Sequence, residues 1–190
     1  ELPLPNPLMS KLVKRLKLTK KMYGGIGLSA NQCGIVQRVF VIGYEDFNMV
    51  CINPKVINAS AELVKDNEGC LSFPGLYVKI PRNSWIEVEY FTEEGKKIQT
   101  RLEGLSARCF LHELDHMNGI KLTQHIGPVA LKIAKQRQDK RIKKHLNANS
   151  LWRNLLSGQR RYHKRQQHWS WTRWCYPVIA NWQGCNHQLP

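Results

Sequence analysis

Residues 106–119 read SARCFLHELDHMNG, and the fold class turns on this stretch. Ser106 is placed to cap a helix, the body is helix-compatible, and Gly119 is a natural stop. Outward on the N-terminal side the pattern changes from helical to strand-like. Residues 85–91 alternate, with Ile86, Val88 and Tyr90 set apart by Glu87 and Glu89, and Glu93-Glu94-Gly95 turns the chain into 97–102, which predicts a hairpin. Further upstream Ile35–Gly43 (IVQRVFVIG) reads as a buried strand, with short strands near 49–52, 55–58 and 76–80. Residues 9–23 carry Leu12, Val13, Leu16 and Met22 among lysines, an amphipathic helix by spacing, after an extended lead-in marked by Pro3, Pro5 and Pro7. On the C-terminal side Pro128 suits the first turn of another helix, about 128–146. Helix, many short strands, helix, helix is an α+β order rather than a βαβ array. The expected architecture is short antiparallel strands packed around the central helix at 106–119, with a C-terminal helix and an atypical tail.

The formal net charge of +15 is unevenly placed. Residues 1–120 hold fifteen Lys and Arg against thirteen acids; residues 121–190 hold fourteen against the single Asp139. A near-neutral body is therefore followed by a strongly basic end, and the total does not make the whole chain a nucleic-acid binder. From Asn147 onward there is no acid, and five of the six tryptophans (152, 169, 171, 174 and 182) lie there. This divides the chain into a body of residues 1–146 and a basic, Trp-rich tail of residues 147–190 read as disordered or artefactual. No apolar run approaches the roughly 18 residues that span a bilayer, and Glu1 in place of Met reads as a processed or truncated start. Six cysteines with no C-x-x-C pair and no signal peptide point to reduced thiols and a cytoplasmic setting.

His112-Glu113-Leu114-Asp115-His116 is an H-E-x-x-H on the expected helix. A spacing of four puts both imidazoles on one face, where they can share a metal ion, and the glutamate one step along can act as general base on a water. Chance, or a charged helix surface, is the plainer account of five residues; two histidines flanking a glutamate on a helix favour the metal. The third ligand decides the chemistry. A metzincin-like H-E-x-x-H-x-x-G-x-x-H has Gly119 in place but Leu122 where the last histidine belongs. Glu113 is the last glutamate, Asp139 sits in a solvated KQRQDKR face, and His125 is wrongly spaced and reads as a surface or loop residue.

The third ligand is therefore expected upstream, and Cys70 in EGCLS (68–72) is the best placed. Alone it would be a buried structural thiol; beside an incomplete H-E-x-x-H it completes a His₂Cys set with an open position, which suits a catalytic metal. GIGLSA (25–30) formally matches a dinucleotide fingerprint, but that needs a strand before and a helix after, the reverse of the order here. A glycine-permitted strand edge beside a peptide is the better reading. Gln32 follows it, either a polar residue at a strand entry or an amide donor to a developing oxyanion.

Taken together, GIGLSANQ (25–32), EGCLS (68–72) and HELDH (112–116) resemble the three signature motifs of peptide deformylase, in the family's order, over roughly residues 8–146. The resemblance implies Cys70, His112 and His116 as metal ligands and Glu113 as general acid/base. The implied cofactor is one divalent ion, Fe²⁺ foremost, with Ni²⁺, Co²⁺ or Zn²⁺ able to substitute. It implies Gln32 and the backbone N–H of Leu71 as oxyanion donors, and Ile26, Gly27 and Gly69 as partners of an extended peptide. Cys109 is implied near a methionine pocket, and Glu68 with Arg82 as a structural ion pair. The implied activity is removal of the formyl group from N-formylmethionyl nascent peptides by a cytoplasmic monomer. Ser29 stands where the family usually has alanine, and Leu111 where a glutamine commonly precedes the first histidine.

The helix from Pro128 has an apolar start and a cationic finish, which reads either as a solvated helix or as a ribosome contact near the exit tunnel. The tail's histidines and cysteines fit no zinc spacing. Competing readings are a zincin-type metallopeptidase, which lacks its third ligand here, and a zinc deaminase, which lacks P-C-x-x-C. A ribosome- or RNA-binding protein with a relict metal site is the alternative from another class; Glu113 beside an open metal position argues against it.

Overall fold

The computed structural model describes residues 5–148, with side-chain surroundings through residue 143; the tail division at 147 and the reading of the tail lie outside the described residues. Helix α1 (Pro7–Met22) begins two residues earlier than its apolar spacing indicates, because Pro7 opens it and Asn6 Oδ1 accepts the Leu8 N–H at 2.9 Å. It buries Met9, Val13 and Leu16. Strands β1 (Gly27–Ser29), β2 (Val39–Tyr44), β3 (Phe47–Ala59), β6 (Trp85–Phe91) and β7 (Lys97–Glu103) form one antiparallel sheet in the order β1-β2-β3-β6-β7. Strands β4 (Leu63–Cys70) and β5 (Phe73–Asn83) form a separate two-stranded hairpin. Helix α2 (Gly104–Met117) joins the two, and α3 (Pro128–Ala148) packs on β5. No helix among the described residues is long and apolar enough to cross a membrane.

The larger sheet is covered on both faces. Val39 and Val41 join Met9, Val13 and Leu16 beneath α1, while Phe40 and Ile42 join Ile86, Val88, Ala107 and Phe110 beneath α2. This explains why β2 reads as an unbroken apolar run in an antiparallel sheet, where alternation is usual. Phe40 and Phe110 meet edge to face with centroids 5.1 Å apart, an arrangement their quadrupoles favour.

Three expectations need correction. The run from Ile35 does not start as strand: Val36 is 95% exposed, and pairing begins only at Val39. The two strands expected at 49–52 and 55–58 are one, β3, bent where Asn53 takes a positive φ of 51° before Pro54 and the register to β6 shifts; proline lacks the N–H that regular pairing needs. Ser106 does not cap α2. The N-cap is Glu103, the helix opens at Gly104, and the Ser106 hydroxyl donates back to the Glu103 carbonyl at 2.8 Å.

Candidate active site

Three segments from different layers meet in one cleft: the edge strand β1 with the 3₁₀ turn after it (Ala30–Cys33), the end of β4, and one face of α2. On α2, Cys109, His112, Glu113 and His116 follow at intervals of three, one and three, a single stripe of the helix. The opposite flank is held in the sheet core by Ala107 and Phe110. Cys70 ends β4 at a register shift against β5, which brings its thiol onto that stripe.

One donor atom from each of Cys70, His112 and His116 lies within 4.8 Å of the others, a group that can hold a metal ion. Cys70 Sγ and His116 Nε2 are 3.2 Å apart. His112 Nδ1 lies 3.0 Å from Glu68 Oε2. An ionised carboxylate only accepts, so Nδ1 donates to it, which leaves Nε2 as the ring nitrogen that can turn to a metal once it gives up its own proton. Glu113 is buried, and its Oε2 has no hydrogen-bond partner. A thiolate, two imidazoles and a buried acceptor lacking a donor fit a divalent metal that brings its own water.

Burial pushes the Cys70 thiol up, but His112 and His116 beside it outweigh that and bring it down to about 6, so the thiolate is the resting form. Burial also lowers His112, but its ties to Cys70 and Glu68 win and raise it to about 10. For Glu113 burial prevails over the lowering by His112 and His116, lifting it to about 7, the range in which a carboxyl both takes and gives a proton near neutrality. Cys109 is driven up to about 12 by burial and then by the Glu113 and Glu68 charges, so it lines the cleft as an uncharged thiol.

Glu68 anchors the polar frame. Arg82 meets it with two parallel hydrogen bonds, Nε to Oε1 at 2.9 Å and Nη2 to Oε2 at 3.0 Å. Arg108 adds Nη1 to Oε1 at 2.8 Å and ties the hairpin to α2 through the carbonyls of Ile80 (2.9 Å) and Val64 (2.6 Å). Burial would raise Glu68, but hydrogen bonds from His112 and Arg82 hold it at about 2. The sequence gives no sign of Arg108 in this role, because its partners are 28 to 44 residues away and two are main-chain carbonyls. Nor does the sequence single out Asp115: its Oδ2 accepts from Arg82 Nη1 and lies 2.7 Å from His125 Nε2. His125, whose spacing reads as that of a surface or loop residue, ends a 3₁₀ turn (Leu122–His125) and is partly accessible beside Asp115.

Gln32 is oriented by Ser29. The Ser29 N–H donates to Gln32 Oε1 at 2.9 Å, which fixes the amide, and the Ser29 hydroxyl lies 2.9 Å from the same oxygen. Gln32 Nε2 is turned toward Ser72 Oγ (3.0 Å) and Cys70 Sγ (3.6 Å), into the cleft. Asn31 Nδ2 donates to the carbonyl of His116, fastening this turn to the metal-site helix. Gly27 has no room for a side chain: a Cβ would overlap the Glu113 carboxylate, with Cδ at 2.8 Å. At Gly25 a Cβ would meet Leu71 Cδ1 at 2.6 Å, so β1 and the 68–72 segment are in close apposition.

The cavity so formed measures about 600 Å³. Ile26, Gly27, Gly69, Leu71 and Cys109 all line it, together with Tyr23, Phe73, Tyr77 and Leu105, which the sequence did not single out. Arg82 is not among its lining residues.

The sequence profile of the polypeptide deformylase family matches residues 3–132. The chain belongs to that family. The peptide deformylase of Thermotoga maritima is 39% identical over 120 residues, 63% of this chain and 73% of its own. That of Prochlorococcus marinus (strain NATL2A) is 40% identical over 149 residues, 76% of this chain and 69% of its own. The crystal structure of a peptide deformylase from Synechococcus elongatus, in complex with actinonin, superposes with a TM-score of 0.69 at 32% identity. It covers 73% of this chain and 77% of that one. The α+β architecture is the deformylase one, and the zincin and deaminase readings fall away; as a deformylase the chain is a hydrolase.

Proposed function

We propose that this deformylase removes formyl groups from N-formylmethionyl peptides at a divalent metal held by Cys70, His112 and His116, Fe²⁺ foremost among the candidates. The buried, unpartnered Glu113 oxygen beside that group is the observation that carries the reading. When bound, the metal supplies Lewis-acid polarisation of water and of the formyl oxygen. Glu113 takes the proton from the attacking water and hands it to the amine nitrogen as the C–N bond breaks, giving formate and a free N-terminal methionine. Gln32 Nε2, already turned into the cleft, and the Leu71 N–H receive the oxyanion, each good donor worth about 3 kcal/mol. Ile26, Gly27 and Gly69 line the path of an extended peptide, and Cys109 borders the pocket for the methionine side chain.

Replacing Glu113 with Ala is expected to abolish formate release from formyl-Met-Ala-Ser, by about a thousandfold or more, while the protein keeps its metal. Retained turnover would sink the mechanism. Metal analysis of anaerobically purified protein identifies the native ion. The exposed Lys132, Lys135, Arg137, Lys140 and Lys143 of α3 support a ribosome contact by a monomeric, cytoplasmic enzyme whose catalytic domain is residues 1–146. Ribosome co-sedimentation lost steeply between low and moderate salt is the expected signature.

A further inference from the structure

We propose that His125 is a positioning residue of the metal site: its Nε2–H closes a chain of hydrogen bonds that runs through Asp115, Arg82 and Glu68 to the Nδ1–H of His112. The inference rests on the metal reading above and adds to it a residue outside the three sequence motifs.

Each link is short. His125 Nε2 lies 2.7 Å from Asp115 Oδ2, and the same oxygen accepts Arg82 Nη1 at 2.7 Å. The other two nitrogens of Arg82 are spent on Glu68, whose Oε2 receives His112. A planar guanidinium with its two edges engaged this way transmits orientation: if Asp115 swings, Arg82 tilts, and the carboxylate that aims His112 tilts with it. Arg82 and Glu68 are buried, so neither can exchange a lost partner for water at low cost. Of the two carboxylates in this relay Asp115 is the more exposed, its side chain 17% accessible against 4% for Glu68, and His125 beside it is 25% accessible.

His125 is well suited to a clean test because the fold does not hang on it. It ends a 3₁₀ turn (Leu122–His125) anchored by its neighbours: Leu122 is buried with Leu76, Val78, Ile80 and Ala134, and Ile126 packs against the same cluster. Removing the imidazole leaves those anchors in place. The lost property is the donor to Asp115.

The experiment uses the full 190-residue chain loaded with Co²⁺, whose thiolate-to-cobalt absorption reports the Cys70 bond and whose transfer to a chelator gives a release rate. Partners directly behind a metal-bound histidine typically change affinity 10–100-fold; His125 stands further back, so about 3–10-fold is expected. H125A should release Co²⁺ that much faster and lower kcat by a similar factor with KM unchanged. H125Q, which keeps an N–H donor without the ring, should restore most of both. An H125A rate equal to the parent's overturns the proposal, as do H125A and H125Q rates raised equally, which would assign the effect to lost packing. Parent protein that takes up no Co²⁺ would overturn the metal reading itself; loaded parent with an indifferent H125A overturns this inference alone.

Discussion

The two strand systems that flank α2 are built on opposite physical terms. The five-stranded sheet is held by apolar burial, each fully buried Val, Leu, Ile or Phe contributing roughly 1.5–3 kcal/mol, with Phe40, Val41, Ile42, Ile52, Ile86 and Val88 nearly inaccessible. The β4–β5 hairpin has a small apolar cluster, and its link to α2 runs through charged groups: Glu68 between two arginines, Arg108 on two hairpin carbonyls, Arg82 on Asp115. The sheet makes the molecule stable, and the hairpin's polar bonds set where the thiol sits relative to the imidazoles. A chain of this kind can lose its site without losing its fold.

The strongest way to break that contrast is Glu68→Gln. It leaves Arg82 and Arg108 short of their counter-charge in a buried place, which should cost about 3–5 kcal/mol in urea unfolding, and it should lower metal content per folded molecule. The sign with pH follows from its depressed carboxyl. The stabilisation is complete above the ordinary carboxylate range and is lost as pH falls toward about 2, so the variant's acid limb should be flatter than the parent's. Phe110→Ala is the counterpart from the sheet side: a similar loss of about 3–5 kcal/mol, with metal content and kcat per folded molecule retained. If F110A empties the site as readily as E68Q, the division of labour is wrong.

Gly27→Ala sharpens the comparison where the sheet meets the helix that both systems flank. A Cβ there displaces the Glu113 carboxylate, so kcat should fall by about tenfold or more with little change in unfolding midpoint; unchanged turnover would show that Glu113 is free to move. Ser29→Ala should have the smallest effect. The backbone N–H still holds Gln32, and loss of the hydroxyl should lower kcat by about threefold, the worth of one modest hydrogen bond. Steady-state formate release resolves both.

The same contrast decides what could be read from the sequence. The sheet was legible because apolar residues recur where a helix or strand must bury them: 85–91, the turn, and 97–102 were found almost to the residue, as was the helix from Pro128. HELDH and EGCLS were legible because metal chemistry restricts residue types at short spacing, and GIGLSANQ through its resemblance to the family's motif. Strand β4 was not, since LVKDNEGC has five exposed residues in succession and no apolar period to detect. Arg108, Asp115 and His125 escaped for another reason. Their meaning lies in partners 10 to 44 residues away, and nothing local distinguishes a clamped arginine from a solvated one.

Helix α2 is pinned at its far end as well as along its flank. Arg38 Nη1 donates to the Met117 carbonyl at 3.2 Å, both its terminal nitrogens reach Asn118 Oδ1 at 3.1 Å, and Asn31 holds the carbonyl of His116. The helix can therefore neither slide nor turn to absorb a change in length. One residue inserted between Cys109 and His112 would rotate everything beyond it by about 100°, carrying both imidazoles off the thiol or tearing the end clasp. Length variation among descendants of this chain should therefore spare these fourteen helical positions.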